Sequence, residues 1–270
     1  MLLRISLPQE LVNEIVGNLL DNADLEACSL VSRSWGYPAS SRLFRHVRVC
    51  PEKVEDWFSR PPESVQKMAP HIFKFELSAD PVDPWGAPPF YWDDSKGLLT
   101  LMISSLASSP VQCLRIESFG VEGFNKITLE QCFEPICRSL RSLEFNTLAA
   151  CTDATIYLIS LFPNLDNIDT GEVMPALIEL APEWDGCGIK HSPKLSGTLR
   201  FSNKPGVTDD SKLLAGIASL SPRFRTISPG KITYLNSSAL SMLVEACAET
   251  VESVPFLWWG YDGKGCDLCQ

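Results

Sequence analysis

Apolar residues recur along this chain with two different periods. Over the first fifty residues the period is helical. Leu7, Leu11, Ile15 and Leu19 follow one another every four residues, with Val12, Val16 and Leu20 beside them. Ser6 and Gln9 stand at capping-box spacing, and Pro8 falls in the first turn, where its missing N–H costs nothing. Asp21-Asn22 predicts a break and a fresh start. A second helix then carries Leu25, Cys28, Val31 and Trp35, and Gly36 and Pro38 are expected to end it. A short turn over 39–43 and an extended piece over 44–49 complete the unit. Forty-odd residues cannot bury two such wide stripes within themselves. The stripes pack either on the rest of the chain or on another protein.

From residue 72 the pattern changes to a recurring phrase, apolar-x-x-apolar-x-apolar. It reads Ile72-Phe75-Leu77, Val111-Leu114-Ile116 and Leu140-Leu143-Phe145, with weaker copies further on. The central anchors are Phe75, Leu114, Leu143, Ile168, Leu199, Ile227 and Val254, separated by 39, 29, 25, 31, 28 and 27 residues. Helix-like stretches lie between them at 98–106, 129–140, 154–161, 213–220 and 238–248. Strand followed by helix at a steady period predicts an α/β fold with a parallel sheet and helices packed on it. One such unit cannot bury its apolar side alone, so the units are expected to stack into a curved solenoid. An unrelated α/β layer is the competing arrangement.

The N-terminal residues carry a resemblance. Leu7-Pro8-x-Glu10-Leu11-x-x-x-Ile15, then Leu25 and Cys28-Ser29-Leu30-Val31-Ser32-Arg33-x-Trp35, with Leu43 to Val49 behind them, is similar to an F-box of the kind found in large fungal families. The resemblance implies a three-helix module that docks on the adaptor Skp1, and through it on a cullin-RING ligase. It implies a Skp1-facing set of Leu7, Pro8, Leu11, Ile15, Leu19, Leu25, Cys28, Val31, Ser32 and Trp35. The phrase from residue 72 resembles the irregular leucine-rich repeats that often follow an F-box, where units run about 20–29 residues. The usual Asn after each strand is mostly absent, and 171–194 fits the period poorly. The resulting organisation is an F-box over 1–49, a connector over 50–71 and a repeat-like domain over 72–270. In the connector, Val54, Trp57 and Phe58 predict one short helix between prolines. The implied role is the target-recognition subunit of an SCF-type ubiquitin ligase. A repeat scaffold whose N-terminal helices only cap the solenoid is the alternative.

Composition narrows the function classes. Of 270 residues, 45% are hydrophobic and 21% charged, as in an ordinary globular protein. A net charge of −10 argues against nucleic acid or an anionic membrane as the partner. No apolar run reaches the roughly 20 residues of a membrane span, so a cytoplasmic or nuclear location is expected. The ten cysteines then read as reduced thiols. Cys266-x-x-Cys269 is half a zinc site, and His46, His71 and His191 supply no matching pair. No nucleophile elbow, zincin or phosphate-loop motif is present. The expectation is a binding protein with no catalytic residues, metal or cofactor.

Strand periodicity also places the remaining candidates. Side chains alternate across a sheet, so the neighbours of the anchors share the face opposite the core. These are Lys74, Glu76, Arg115, Glu117, Glu144, Asn146, Asn167, Asp169 and Arg200, a mixed-charge ladder suited to a target protein. The insertion over 80–97 adds Trp85, Tyr91 and Trp92 among four prolines. They form either a target-binding loop or a cover over the first repeat. The aromatics of 255–261 are expected to close the last repeat.

Overall fold

In the computed structural model the described residues are 7–78, 96–120, 124–149, 152–171, 173–174, 193–201, 211–229, 231–232, 237–255 and 257–258. Ser6, Trp85, Tyr91, Trp92, Cys266 and Cys269 lie outside them, as does the third histidine, His191.

Three helices open the chain: α1 (Gln9–Asn18), α2 (Asn22–Val31) and α3 (Arg33–Leu43). Pro8 is the residue just before α1 rather than part of its first turn. The break at Asp21 is built as expected, its carboxylate accepting from the Ala23 N–H at 2.9 Å. The end of the second helix is not. It stops at Val31, Ser32 is extended, and Gly36 and Pro38 lie inside a third helix that also absorbs the expected turn over 39–43. A proline in a helix orphans the carbonyl four residues earlier. Here that carbonyl belongs to Ser34, and it accepts a hydrogen bond from Gln9 Nε2 of α1 at 2.9 Å. A side chain from a neighbouring helix thus satisfies the group that Pro38 orphans.

The connector holds more than the one expected helix. It contains a 3-10 turn at Pro51–Lys53, α4 (Val54–Ser59), α5 (Pro62–Met68) and a second 3-10 turn at Ala69–His71. Trp57 of α4 is buried, and its indole donates to Ser105 Oγ at 3.3 Å.

Seven parallel strands follow chain order in one sheet: β1 (His46–Val49), β2 (Lys74–Ser78), β3 (Cys113–Gly120), β4 (Ser142–Ala149), β5 (Asn167–Thr170), β7 (Ser196–Phe201) and β8 (Arg223–Ser228). The short β6 (Val173–Met174) pairs with the far end of β4. A Cβ at Gly171, between β5 and β6, would strike the Phe145 carbonyl oxygen, so the chain turns there only with glycine. The expected anchors form one rung. Phe75 pairs with Leu114, Leu114 with Leu143, Leu143 with Ile168, Ile168 with Leu199 and Leu199 with Ile227. Val47 of β1 extends the rung at its near end. At the far end Ser253 bridges Thr226, which brings Val254 one step from it.

A backbone contact repeats at the entry to successive strands. One carbonyl accepts from two consecutive N–H groups of the next strand: Arg45 from Phe73 and Lys74, Phe73 from Gln112 and Cys113, Gln112 from Arg141 and Ser142, Arg141 from Asp166 and Asn167. These distances run from 2.7 to 3.1 Å. The irregular step lies at Gly197, whose φ of +72° and closeness to the Asp166 carbonyl exclude a side chain.

Between these strands run α6 (Lys96–Ser105), α7 (Lys126–Phe133), α8 (Thr152–Ser160), α9 (Ser211–Ser219) and α10 (Ser237–Ala246), one in each stretch of helical period. Neighbours touch in order: α4 with α6, α6 with α7, α8 with α9, α9 with α10. Their apolar faces close on the anchor rung in one continuous core. Val12, Val16, Leu25 and Ala39 form a second, separate core within the first three helices. The boundary between the cores falls at residues 43 and 44, since Phe44, Val47 and Val49 already pack with the large core. No helix among the described residues is long and apolar enough to cross a membrane.

Leu143 sits on the central strand with no exposed surface. Leu143→Ala should cost about 2–5 kcal/mol, the sum of lost transfer energy and an unfilled cavity. A shift in the denaturation midpoint at constant slope checks it.

Candidate functional site

Two surfaces remain once both cores are closed. The first is the polar face of the sheet. Because β2–β7 pair in strict register, residues two apart on each strand line up into rows. One row runs Arg48, Glu76, Arg115, Glu144, Asp169 and Arg200 across six adjacent strands. Every ladder residue expected on this face from β2 to β7 is there. Glu76 is 4% exposed, yet it is held by Arg48 Nε at 3.2 Å and His46 Nε2 at 2.9 Å. Arg48 also reaches Glu117 at 3.6 Å, and Glu117 accepts from Asn146 Nδ2 at 2.7 Å. Lys74 crosses a whole strand to pair with Glu144 at 2.6 Å, while Arg115 approaches the same carboxylate at 4.0 Å. Arg200 pairs with Asp169 at 3.7 Å.

Three members of this network escaped the sequence reading. His46 and Arg48 were assigned with the N-terminal helices, although His-Val-Arg-Val alternates as Lys-Phe-Glu-Leu does in β2. Cys113 falls in an apolar stretch of the kind that buries a thiol in the core. Its Sγ instead donates to Glu144 Oε1 at 3.2 Å. Burial, then the hydrogen bond and charge of Glu144, push the Cys113 thiol up to about 11, so it stays protonated and unreactive at neutral pH. Cys132 is pushed up to about 12 by burial.

The row alternates in sign except at one place, where Glu144 and Asp169 are direct neighbours in register. Like charges directly opposite oppose folding, and the two carboxyls divide that cost unequally. For Glu144, burial acts to raise the pKa, but hydrogen bonds from Lys74 and Cys113 and the charges of Lys74 and Arg115 outweigh it and hold the group below the usual carboxylate range. For Asp169, burial raises the pKa, and Glu144 adds to this against the pull of Arg200 and Arg115, so it sits above its usual value.

The second surface is apolar. On α1 and just before it, Leu7, Leu11 and Ile15 stay exposed, and Pro8 lies beside them. Leu20 is 94% exposed and Leu30 86%, and Val31 at the end of α2 is 65% exposed. The expected face is thus only partly correct. Leu25 is 3% exposed because it fills the small core, and Leu19, Cys28 and Trp35 pack against that core. Ser32 is the exposed, extended residue between α2 and α3. The helical period marked both the core-facing and the open apolar positions, and only the three-helix packing separates them.

The family model for F-box-like domains matches residues 5–50. This segment is an F-box-like domain. It contains α1 to α3 and ends on β1, so the last strand of the F-box-like domain is also the first strand of the sheet. F-box domains in general bind Skp1, and they point to an SCF adaptor-type role. No curated protein matches the chain.

The Lys74–Glu144 pair is open to a direct check. A lowered folded-state pKa contributes stability above the unfolded-state value, and that contribution disappears as pH falls through the folded-state value. Asp169, with its raised pKa, works the other way: it favours folding at low pH and loses that contribution as pH rises. Lys74→Met should therefore move the Glu144 titration midpoint upward, as read by carboxyl NMR, and weaken the stability gain between acid and neutral pH.

Proposed function

We propose that this chain is a target-recognition subunit of an SCF-type ubiquitin ligase. The observation that carries the reading is an F-box-like domain that leaves apolar residues exposed on and beside α1 and at the end of α2 while its own small core is already filled. A set of open leucines on a closed module is what a partner-docking surface requires. Leu7, Pro8, Leu11, Ile15 and Val31 would meet Skp1, joined by Leu20 and Leu30, and Skp1 would connect the chain to a cullin-RING ligase. Leu25 is left out of this set, being committed to the core.

The sheet domain is read as a degenerate leucine-rich-repeat solenoid. Sequential parallel strands, one anchor per unit and a recurring backbone contact between units support that reading. Its polar face would be the concave surface that holds the target, with Trp85, Tyr91 and Trp92 as a second target contact. Most of the ladder charges already pair with one another. Target recognition would then rest on shape and hydrogen bonding across many strands rather than on one free charge. The chain would perform no chemistry itself. Its contribution is proximity, which raises the effective concentration of a target lysine near the charged conjugating enzyme. A scaffold whose N-terminal helices only cap the solenoid is disfavoured, since such helices would share the solenoid core rather than hold their own.

Leu11→Asp with Ile15→Asp should abolish capture of purified Skp1 while the domain still folds, because neither side chain belongs to the small core. Undiminished capture would remove α1 from the interface.

A further inference from the structure

The F-box-like domain carries a third feature that neither the apolar face nor the sheet explains. A groove of about 550 Å³ lies between α1 and α3. Its walls include Gln9, Asn13, Arg33, Ser34, Tyr37 and Arg42. At about 100° per residue, Gln9 and Asn13 stand roughly half a turn around α1 from Leu11 and Ile15. On α1 the groove therefore lies on the flank opposite Leu11 and Ile15.

Its chemistry is one-sided. The chain has a net charge of −10, yet the groove lining contains two arginines and no carboxylate. Arg42 is fixed in place, because one terminal nitrogen of its guanidinium donates to the Val16 and Gly17 carbonyls at the end of α1. That anchoring removes much of the entropy cost of holding a long cation ready for a ligand. Gln9 spends its amide protons on Ser34 O and Asn13 Oδ1, both at 2.9 Å, which turns the donor end of Asn13 to other use. The ring of Tyr37 meets His71 edge-on with centroids 5.0 Å apart and stays largely exposed at the groove wall. Among the described residues, none pairs with the Arg33 guanidinium or the Tyr37 hydroxyl. What the groove offers is two guanidinium groups, one of them anchored, with amide and hydroxyl donors set in a largely apolar lining that has no carboxylate.

We infer that this groove is a second docking site of the F-box-like domain, and that its occupant is an acidic segment of a partner protein, a short run of Asp and Glu side chains. Guanidinium groups bind carboxylates through paired charge-assisted hydrogen bonds, and a cleft of this size admits several side chains. The inference does not depend on the identity of the protein that covers the apolar face.

The test uses the full chain and a fluorescein-labelled hexaglutamate peptide, followed by anisotropy at low salt. Saturable binding is expected, with no binding of labelled hexaglutamine. Arg33→Glu should weaken it about tenfold, the loss of one charge-assisted contact. Arg33 is exposed, so this variant should melt as the parent does. Arg138→Glu, a charge reversal outside the groove, should bind normally. Equal affinity in Arg33→Glu, or equal losses in Arg33→Glu and Arg138→Glu, would overturn the assignment. Complete displacement of the peptide by millimolar inorganic phosphate would overturn it too, in favour of a small-oxyanion site.

Discussion

The structure depends on one constraint, the parallel register of a single buried rung. Val47, Phe75, Leu114, Leu143, Ile168, Leu199 and Ile227 sit side by side across seven strands. A slip of one residue on any strand would turn its anchor to the polar face and its charged neighbours into the core. The rung therefore specifies both faces at once. On one side the helices close over the anchors. On the other, Arg48, Glu76, Arg115 and Glu144 meet at alternating sign. The same register also forces the one like-charge contact, Glu144 beside Asp169, and Lys74 reaches across β3 to offset it.

That constraint extends into the F-box-like domain. Its helices have a core of their own, but its last strand belongs to the sheet. Arg45 accepts two backbone hydrogen bonds from the start of β2 and lays its guanidinium over Phe73 at 5.2 Å. Tyr37 meets His71 at the connector, and burial lowers the pKa of that imidazole. Hydrogen-bonded strand pairing joins the two units, where a linker of glycine and serine would leave them free. In the proposed function this matters, because a receptor held firmly to its adaptor fixes where a bound target sits.

Much of this was legible in the sequence, for physical reasons. Anchors spaced by 25–31 residues, after a first step of 39, mark a strand-helix unit because each strand must place the same apolar position in the same core. All six anchors from Phe75 to Ile227 fall on one rung, and a helix forms in each helical stretch between them, although over 129–140 the α-helix stops at Phe133 and a 3-10 turn follows. Other features depend on partners distant in sequence. Pro38 reads locally as a helix end, and only Gln9 of α1 makes it tolerable inside α3. Leu25 and Leu11 look equivalent by period, yet three-helix packing buries one and leaves the other open. His46 and Arg48 alternate correctly, but the resemblance over 7–49 assigned them to the helical module. Cys113 was counted as core because a thiol carries no charge to mark it, and its bond to Glu144 spans two strands.

In the proposed function the F-box-like domain presents an apolar face to an adaptor while the sheet remains free for a target. Hydrogen–deuterium exchange on the full chain, with and without Skp1, addresses it most directly. The account predicts slowed exchange within α1 and α2, with β2 to β8 unchanged. Slowed exchange confined to the strands, or none in α1 and α2, would contradict it.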